Sequence, residues 1–467
     1  MAELIIEKVN EVYLKITSEP HVEYELRDRF TFEIENKKFM PQYRNRHWNG
    51  EIHLYNMKTK RIYCGLLDKV VAFAEGAGYN YKFLNNKFYG PPFEVNELIS
   101  KGGVKDYMES VAPGIKPRDY QIDGVYDALR YNRKLLISPT GSGKSFMIYS
   151  VVRYHVAKGR KILLVVPTTS LVEQMYKDFE SYGWDTQNHC HRIYAGRERV
   201  NTNEVTITTW QSIYELDRKF FEPYDVVIGD EAHLFKSKSL ISIMDKLHHA
   251  KFRYGFTGTL DGSQTHKWVL EGLFGPSYKV TQTKKLQDEG HLATLDIQCL
   301  VLKYKPKKFD TYEDEIQFLI GHEKRNKFIT NLVTDLRGNS LVLYSRVEAH
   351  GAILFDLINK KVSEDRKVFF IHGGVDAEDR EQVREITEKE TDAIIVASYG
   401  TFSTGINIKN LHNVIFASPS KSRVRNLQSI GRVLRKGKDK VSAKLYDIAD
   451  DLTIGSRKNY TLNHFIE

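Results

Sequence analysis

Lys144 and Ser145 close the stretch SPTGSGKS, and Asp230 and Glu231 stand side by side in VVIGDEAH. The first stretch fits the phosphate-cradle signature G-x-x-x-x-G-K-[ST], except that Ser138 occupies the place of the first glycine. In such a loop, the backbone N–H groups around Gly141, Ser142 and Gly143 converge on an anion. Lys144 then reaches the β- and γ-phosphates of a nucleotide, and the Ser145 hydroxyl ligates magnesium. An aspartate beside the loop, here Asp230, holds the same metal, while Glu231 orients or deprotonates the attacking water. Taken singly, a glycine-rich turn and an acidic pair are ordinary features of helix starts. Together in one chain they point to ATP hydrolysis with Mg2+.

Positioning these side chains requires a sheet. KLLISPT, KILLVVPTT, VTITTW, YDVVIGDEAH and KFRYGFTGTL are apolar runs alternating with helical patterns, the signature of a parallel sheet of βαβ units. Lys144 then opens a helix, and both acids emerge at the end of a buried strand, where open α/β sheets place their ligands. LVLYSR, KVFFIHGG, AIIVASYG, NVIFASPS and LYDIAD form a second series, with the division falling near TKKLQDEGHLATLDIQ. Ahead of both, a seam rich in glycine and proline (Gly90 to Pro117) sets off the first hundred residues. There YELRDRFTFEIE and GEIHLYNMKTKRIYCG read as strands, and LLDKVVAFAEGAG as a short helix ending at glycine.

These residues resemble the superfamily-two helicases. Asp230-Glu231-Ala232-His233 matches their DEAH box, and the other family motifs occur in order between Arg118 and Arg435. RDYQ with Gln121 resembles the adenine-recognising motif, PTTSLVEQ with Thr168 resembles motif Ia, and TTWQS with Thr209 resembles motif Ib. FTGTL stands in the place of the motif that couples hydrolysis to movement. LVLYSR with Ser345 is similar to motif IV, SYGTFSTGINI with Thr404 and Gly405 to motif V, and QSIGRVLR with Gln428, Arg432 and Arg435 to motif VI. Members of the superfamily often carry a small residue other than glycine at the position of Ser138, so the substitution fits the class. Asn407 departs from the aspartate that motif V often has.

The resemblance implies an α/β fold with two tandem RecA-like motor domains and a small N-terminal α+β domain. It divides the chain into residues 1–100, a nucleic-acid-binding module; 101–285, carrying the ATP site; and 286–467, carrying the arginine fingers. It implies catalytic roles for Lys144, Asp230, Glu231, Gln428, Arg432 and Arg435. Nucleotide contacts are implied for Gln121, Gly141, Ser142, Gly143, Lys144, Ser145 and Gly405, and Mg2+ ligation for Ser145 and Asp230. Thr168, Thr209, Ser345 and Thr404 are the implied contacts to nucleic-acid phosphates. Within the superfamily, RNRHWNGEIHLYN, VASYGTFSTGI and IGRVLRKG narrow the resemblance to the branched-DNA helicases of T-even bacteriophages. The implied substrates are junctions, forks and RNA–DNA hybrids, in recombination, repair and replication.

Composition sets outer bounds. At 467 residues, with 41% hydrophobic and 28% charged residues, the chain suits two or three globular domains. No run reaches the roughly 18 apolar residues of a membrane span, and a cytoplasmic location is expected. Cys64, Cys190 and Cys299 have neither zinc-ligand nor disulfide-framework spacing. The net charge of +9 is compatible with a polyanionic partner. Between Glu35 and Lys69, eight cations outnumber three acids, with Tyr43, Trp48, Tyr55 and Tyr63 interleaved. That mixture suits phosphate contact plus base stacking, although a small domain also needs aromatics for its core. An RNA helicase, or a nucleic-acid-binding protein with a vestigial nucleotide site, are the alternatives, and the intact Lys144, Asp230, Glu231 and Arg435 speak against the latter.

Overall fold

The computed structural model describes residues 3–34, 37–84, 95–194, 203–260, 262–405, 408–420, 422–436 and 440–466. The chain forms two compact units, Met1–Thr281 and Gln282–Glu467.

Unit 1 is built on a seven-stranded parallel sheet. Its strands lie in the order Ser277–Lys279, Arg133–Ile137, Phe252–Thr257, Val226–Asp230, Ile162–Val166, Val205–Thr209, Cys190–Ile193. The central strands are continuous apolar runs because helices cover both faces: every residue of Ile162–Val166 is buried. Each such side chain contributes about 1.5–3 kcal/mol by leaving water. The five expected strands are present. The two outer strands, Ser277–Lys279 and Cys190–Ile193, are short and carry polar side chains, so they lack the apolar signal of the interior.

Residues 3–84 form a second sheet, in the order Arg61–Tyr63, Tyr13–Thr17, Glu3–Lys8, Asn80–Phe83, with a small ribbon of Thr31–Glu33 against Glu51–His53. The helix expected in LLDKVVAFAEGAG spans Leu67–Ala77 and ends at Gly78 in the left-handed region, φ +73°. YELRDRFTFEIE differs from expectation. Its first half lies in the helix Pro20–Arg29, and only Thr31–Glu33 is strand. Pro20 begins that helix, and Val22, Glu23 and Leu26 turn inward at helical spacing, which the apparent alternation concealed.

This N-terminal sheet has no core of its own. Leu4, Leu14, Phe30, Leu66 and Val70 belong to one buried cluster with Leu135, Val227, Trp268 and Phe274 of the parallel-sheet region. Phe30 and Phe32 pack on Trp268 with ring centroids 5.3 and 5.1 Å apart. Arg133, fully buried, donates to the Glu11 carboxylate at 2.6 Å and to the Glu11 carbonyl at 2.8 Å. Lys69 pairs with Glu271 at 3.0 Å.

Unit 2 carries a six-stranded parallel sheet in the order Thr294–Lys303, Ser442–Asp451, Asn413–Phe416, Ser340–Tyr344, Ile394–Ser398, Val368–Ile371. All five strands of the second series are present. The segment TKKLQDEGHLATLDIQ also gives the helix Thr283–Asp288 and the start of Thr294–Lys303, a ten-residue edge strand whose exposed residues mix Asp296 and Gln298 with Ile297 and Val301. Among the described residues no helix is long and apolar enough to cross a membrane.

Candidate nucleotide site

Strand Arg133–Ile137 delivers the chain to the phosphate loop, and helix Lys144–Val156 starts directly after it. Gly141 and Gly143 have φ of +84° and +80°, a backbone conformation that costs other residues strain. A Cβ at Gly143 would also lie 2.2 Å from Gln121 Nε2. Ser138 and Ser142 explain the missing first glycine. Both are buried, and their hydroxyls share a 2.6 Å hydrogen bond across the loop, so at position 138 a small polar side chain ties the turn together.

Gln121 grips this loop from outside. Its Nε2 donates to the Ser142 carbonyl at 2.8 Å, while its Oε1 accepts from the Arg118 backbone N–H at 2.9 Å. The Tyr120 hydroxyl is a second donor to the same carbonyl, at 3.2 Å. With both ends of its amide engaged and 5% exposure, Gln121 fixes the loop backbone in this state.

The acids meet the lysine. Lys144 Nζ lies 2.9 Å from Glu231 Oε1 and 3.2 Å from Asp230 Oδ1. Burial lowers the lysine pKa, but the two carboxylates outweigh it and hold the ammonium above its ordinary range. Burial lifts Asp230 above the usual carboxylate range, against the pull of Lys144 and with Glu231 adding to it. Burial acts the same way on Glu231, yet Lys144 and His233 prevail and hold that carboxyl well below the usual range. Two adjacent carboxyls are thus driven apart, which allows adjacent acids to do different work. Glu231 itself sits at φ +50°, and its N–H donates to Asp230 Oδ1 at 2.9 Å. Strain of this kind in a non-glycine residue clusters at functional positions.

Ser145 and Asp230 offer a hydroxyl and a carboxylate. Both are hard oxygen donors of the kind Mg2+ takes alongside water and phosphate oxygens, so the residues present fit the ion.

His233 and Thr257 form a link that motif spacing alone did not single out. His233 Nδ1 lies 3.0 Å from Thr257 Oγ1 and 3.4 Å from Glu231 Oε2, and Thr257 donates onward to the Thr259 carbonyl at 2.9 Å. The strand carrying the acids is thereby joined by side chains to FTGTL.

Of the expected nucleic-acid contacts, Thr168 and Ser345 come just after a strand, Thr209 ends one, and Thr404 lies on the helix that follows one. Thr168 caps helix Thr169–Ser181 by accepting from the Leu171 N–H. Thr209 is buried, with its hydroxyl on Ser212 at 2.9 Å. In unit 2, Ser345 is exposed after strand Ser340–Tyr344, its N–H donating to Ser418 Oγ at 3.2 Å. Helix Tyr399–Gly405 carries Thr404 and Gly405, whose side-chain surroundings lie outside the described residues, as do Asn407 and the side chain of Gln428. Arg432, 9% exposed, lies on helix Arg423–Val433, and Arg435 follows it, bridged to Leu292.

The N-terminal aromatics divide into two groups. Tyr55 is buried and donates to the Ile16 carbonyl, and Tyr63 stacks on Tyr13 at 5.4 Å, so both serve the core. Trp48 and Tyr43 are half-buried beside exposed Lys38, Arg44, Arg46 and Lys58.

Three family models match the chain in succession. The DNA helicase UvsW N-terminal model covers residues 7–84, the type III restriction enzyme res subunit model 114–262, and the helicase conserved C-terminal domain model 323–437. The ATP-dependent DNA helicase uvsW of Enterobacteria phage T4 is 32% identical over 97% of this chain and 94% of its own length. The DNA 3′-5′ translocase XPB2 of Sulfurisphaera tokodaii is 24% identical over 80% of this chain and 90% of its own. The crystal structure of T4 UvsW superposes with a TM-score of 0.53 at 30% identity, covering 99% of this chain and 96% of that one. Strand-end phosphate loop, paired acids and this full-length likeness agree: the chain belongs to the UvsW family of ATP-dependent DNA helicases, ATP-hydrolysing enzymes of helicase superfamily two.

Proposed function

We propose that this helicase remodels branched DNA, migrating junctions and regressing forks, and unwinds RNA–DNA hybrids, with roles in recombination, repair and replication in the cytoplasm of a phage host. The observation that carries the motor chemistry is the contact of Lys144 with both Asp230 and Glu231 in one strand-end site. Lys144 is an ammonium held by carboxylates, and incoming β- and γ-phosphates offer it a competing anion. As it turns to them, the Asp230 and Glu231 carboxylates are released, and Glu231 can orient the attacking water. Ser145 and Asp230 would hold Mg2+, which would supply charge neutralisation at the phosphates. Gly141, Ser142, Gly143 and Gln121 hold the loop in shape.

The remaining assignments belong to the same reading. Arg432 and Arg435 act as arginine fingers on the transferring phosphoryl group, Gln428 shares their catalytic role, and Gly405 completes the nucleotide contacts. Thr168, Ser345 and Thr404 contact the phosphate backbone. Thr209, whose hydroxyl is shared with Ser212, is a fourth such contact at its strand end. Residues 1–100 form the nucleic-acid-binding module, with Trp48 and Tyr43 among exposed cations, 101–285 the ATP-binding domain and 286–467 the second motor domain. The test is unwinding of a synthetic four-way DNA junction compared with an RNA duplex, each with ATP and Mg2+. Preferential junction unwinding supports the reading, and equal or better RNA unwinding contradicts it.

A further inference from the structure

Unit 2 contains a cavity of about 390 Å3 at the C-terminal ends of its edge strand Thr294–Lys303 and the adjacent strand Ser442–Asp451, among residues outside the helicase motifs. Lys307, Lys308, Arg457 and Lys458 line it, all exposed, with Phe309 and Tyr460 half-buried between them. The sequence leading in, KYKPKK, places Lys303, Lys305, Lys307 and Lys308 within six residues.

The walls are fixed in place. Ile454 and Arg457 exchange backbone hydrogen bonds of 3.1 and 3.0 Å around a tight turn in which Gly455 has φ +57°. Lys307 is held by its N–H to the Leu452 carbonyl, and its ammonium lies over the Phe318 and Phe309 rings at 4.2 and 5.2 Å. Glu315, the acid lining the cavity, is 1% exposed, and its carboxylate accepts from Asn459 Nδ2, the N–H groups of Tyr460 and Thr461 and the Thr461 hydroxyl at 2.7–2.9 Å. Lys307 is therefore seated over rings, Lys308, Arg457 and Lys458 face solvent, and the carboxylate in the lining is already hydrogen-bonded by its neighbours. A structural contact also reaches motif IV. Arg346, next to Ser345, pairs with both Glu313 oxygens at 2.7 and 2.8 Å, and Glu313 and Glu315 share helix Tyr312–Ile320.

We infer that this cavity is an additional phosphate-backbone site for the DNA strand, continuing the line of C-terminal strand ends marked by Ser345 toward the edge strand Thr294–Lys303; the inference rests on the DNA-motor reading above. Four exposed cations, one of them held over aromatic rings, suit contact with a phosphodiester and its sugar.

The test uses the full-length protein with Lys307→Gln, Lys308→Gln, Arg457→Gln and Lys458→Gln together. Affinity for single-stranded and junction DNA is followed by fluorescence anisotropy over a salt series, beside ATPase rates with and without DNA. A charge-matched control carries Arg337→Gln, Lys360→Gln, Lys361→Gln and Lys389→Gln, exposed positions leading into strands at the opposite edge of the sheet. The expected result is at least about tenfold weaker DNA binding and a salt slope shallower by about 0.7–0.9 per lost phosphate contact. ATPase without DNA, the half-saturating ATP concentration and the maximal stimulated rate stay unchanged, and the control stays near wild type. If the quadruple variant has a lowered thermal midpoint, the Lys307→Gln, Lys308→Gln pair replaces it, with about half the change in slope. Unchanged affinity and slope, an equal loss in the control, or a changed ATP requirement with unchanged DNA affinity would overturn the inference. Absence of DNA-stimulated hydrolysis in the wild type would instead remove the motor reading beneath it.

Discussion

Lys144 and Glu231 are joined at 2.9 Å, with Asp230 Oδ1 3.2 Å from the same ammonium. The cation meant for phosphates is thus stored on the acids meant for metal and water. Lys144→Ala should lower ATP hydrolysis by about 10²–10³-fold through loss of charge stabilisation. It also leaves two buried carboxyls facing each other, so its thermal midpoint should fall. Glu231→Gln should reduce kcat by about 10²–10⁴-fold, the usual contribution of a positioned base, while nucleotide binding persists. Steady-state ATPase assays with equilibrium nucleotide binding separate the two variants.

Gln121 makes two hydrogen bonds that shape the phosphate loop, to Ser142 O and from Arg118 N–H. Each is worth about 0.5–1.5 kcal/mol. Gln121→Ala should raise the KM for ATP roughly tenfold, with a smaller effect on kcat, because it loosens the cradle and leaves Glu231 in place. A KM and kcat comparison checks this, and Gln121→Glu should fail to restore the bond to the Ser142 carbonyl because it lacks the donor.

His350 is fully buried in unit 2, with Nδ1 2.9 Å from Ser418 Oγ, and burial together with the Arg325 charge lowers its pKa to about 3. The unfolded imidazole takes up a proton near pH 6.5, so between those values the unfolded state binds more protons. This group's contribution to stability is therefore full above about pH 6.5 and is lost as the pH falls toward 3. At pH 5 the loss is about 2 kcal/mol. Denaturant unfolding at pH 7.5 and pH 5 should show wild type losing more stability than His350→Asn.

Gly65 connects the N-terminal sheet to the parallel-sheet region at a point with no spare space. A Cβ there would lie 2.1 Å from the Glu271 carbonyl oxygen and 2.7 Å from that of Gly272. Both contacts are backbone, which cannot swing aside. Gly65→Ala should lower the melting temperature of the protein by several degrees, measured by calorimetry, and loosen the Lys69–Glu271 pair beside it.

The phosphate loop and the acids were legible because their chemistry demands fixed residue types at fixed spacing and their strands are buried on both faces. Ile162–Val166 shows this, since burial on both sides leaves an uninterrupted apolar run. The start of Thr294–Lys303 was not legible as a strand, because on this edge strand Asp296 and Gln298 face water together with Ile297 and Val301, so no apolar alternation marks it. The Pro20–Arg29 helix was hidden by a chance alternation at Tyr24, Leu26 and Phe30. Nor could spacing show that Ser138 bonds Ser142, that His233 reaches Thr257, or that Arg133 reaches Glu11 across 122 positions, since each depends on tertiary approach. The shared core of residues 3–84 with the parallel-sheet region was likewise invisible, because apolar periodicity gives the buried face of an element without naming its partner.

ATP hydrolysis by the full-length protein, with and without a synthetic four-way DNA junction, tests the central claim most directly. A junction-stimulated rate that Glu231→Gln abolishes is the predicted result; a rate that the junction does not raise, or that survives Glu231→Gln, would contradict it.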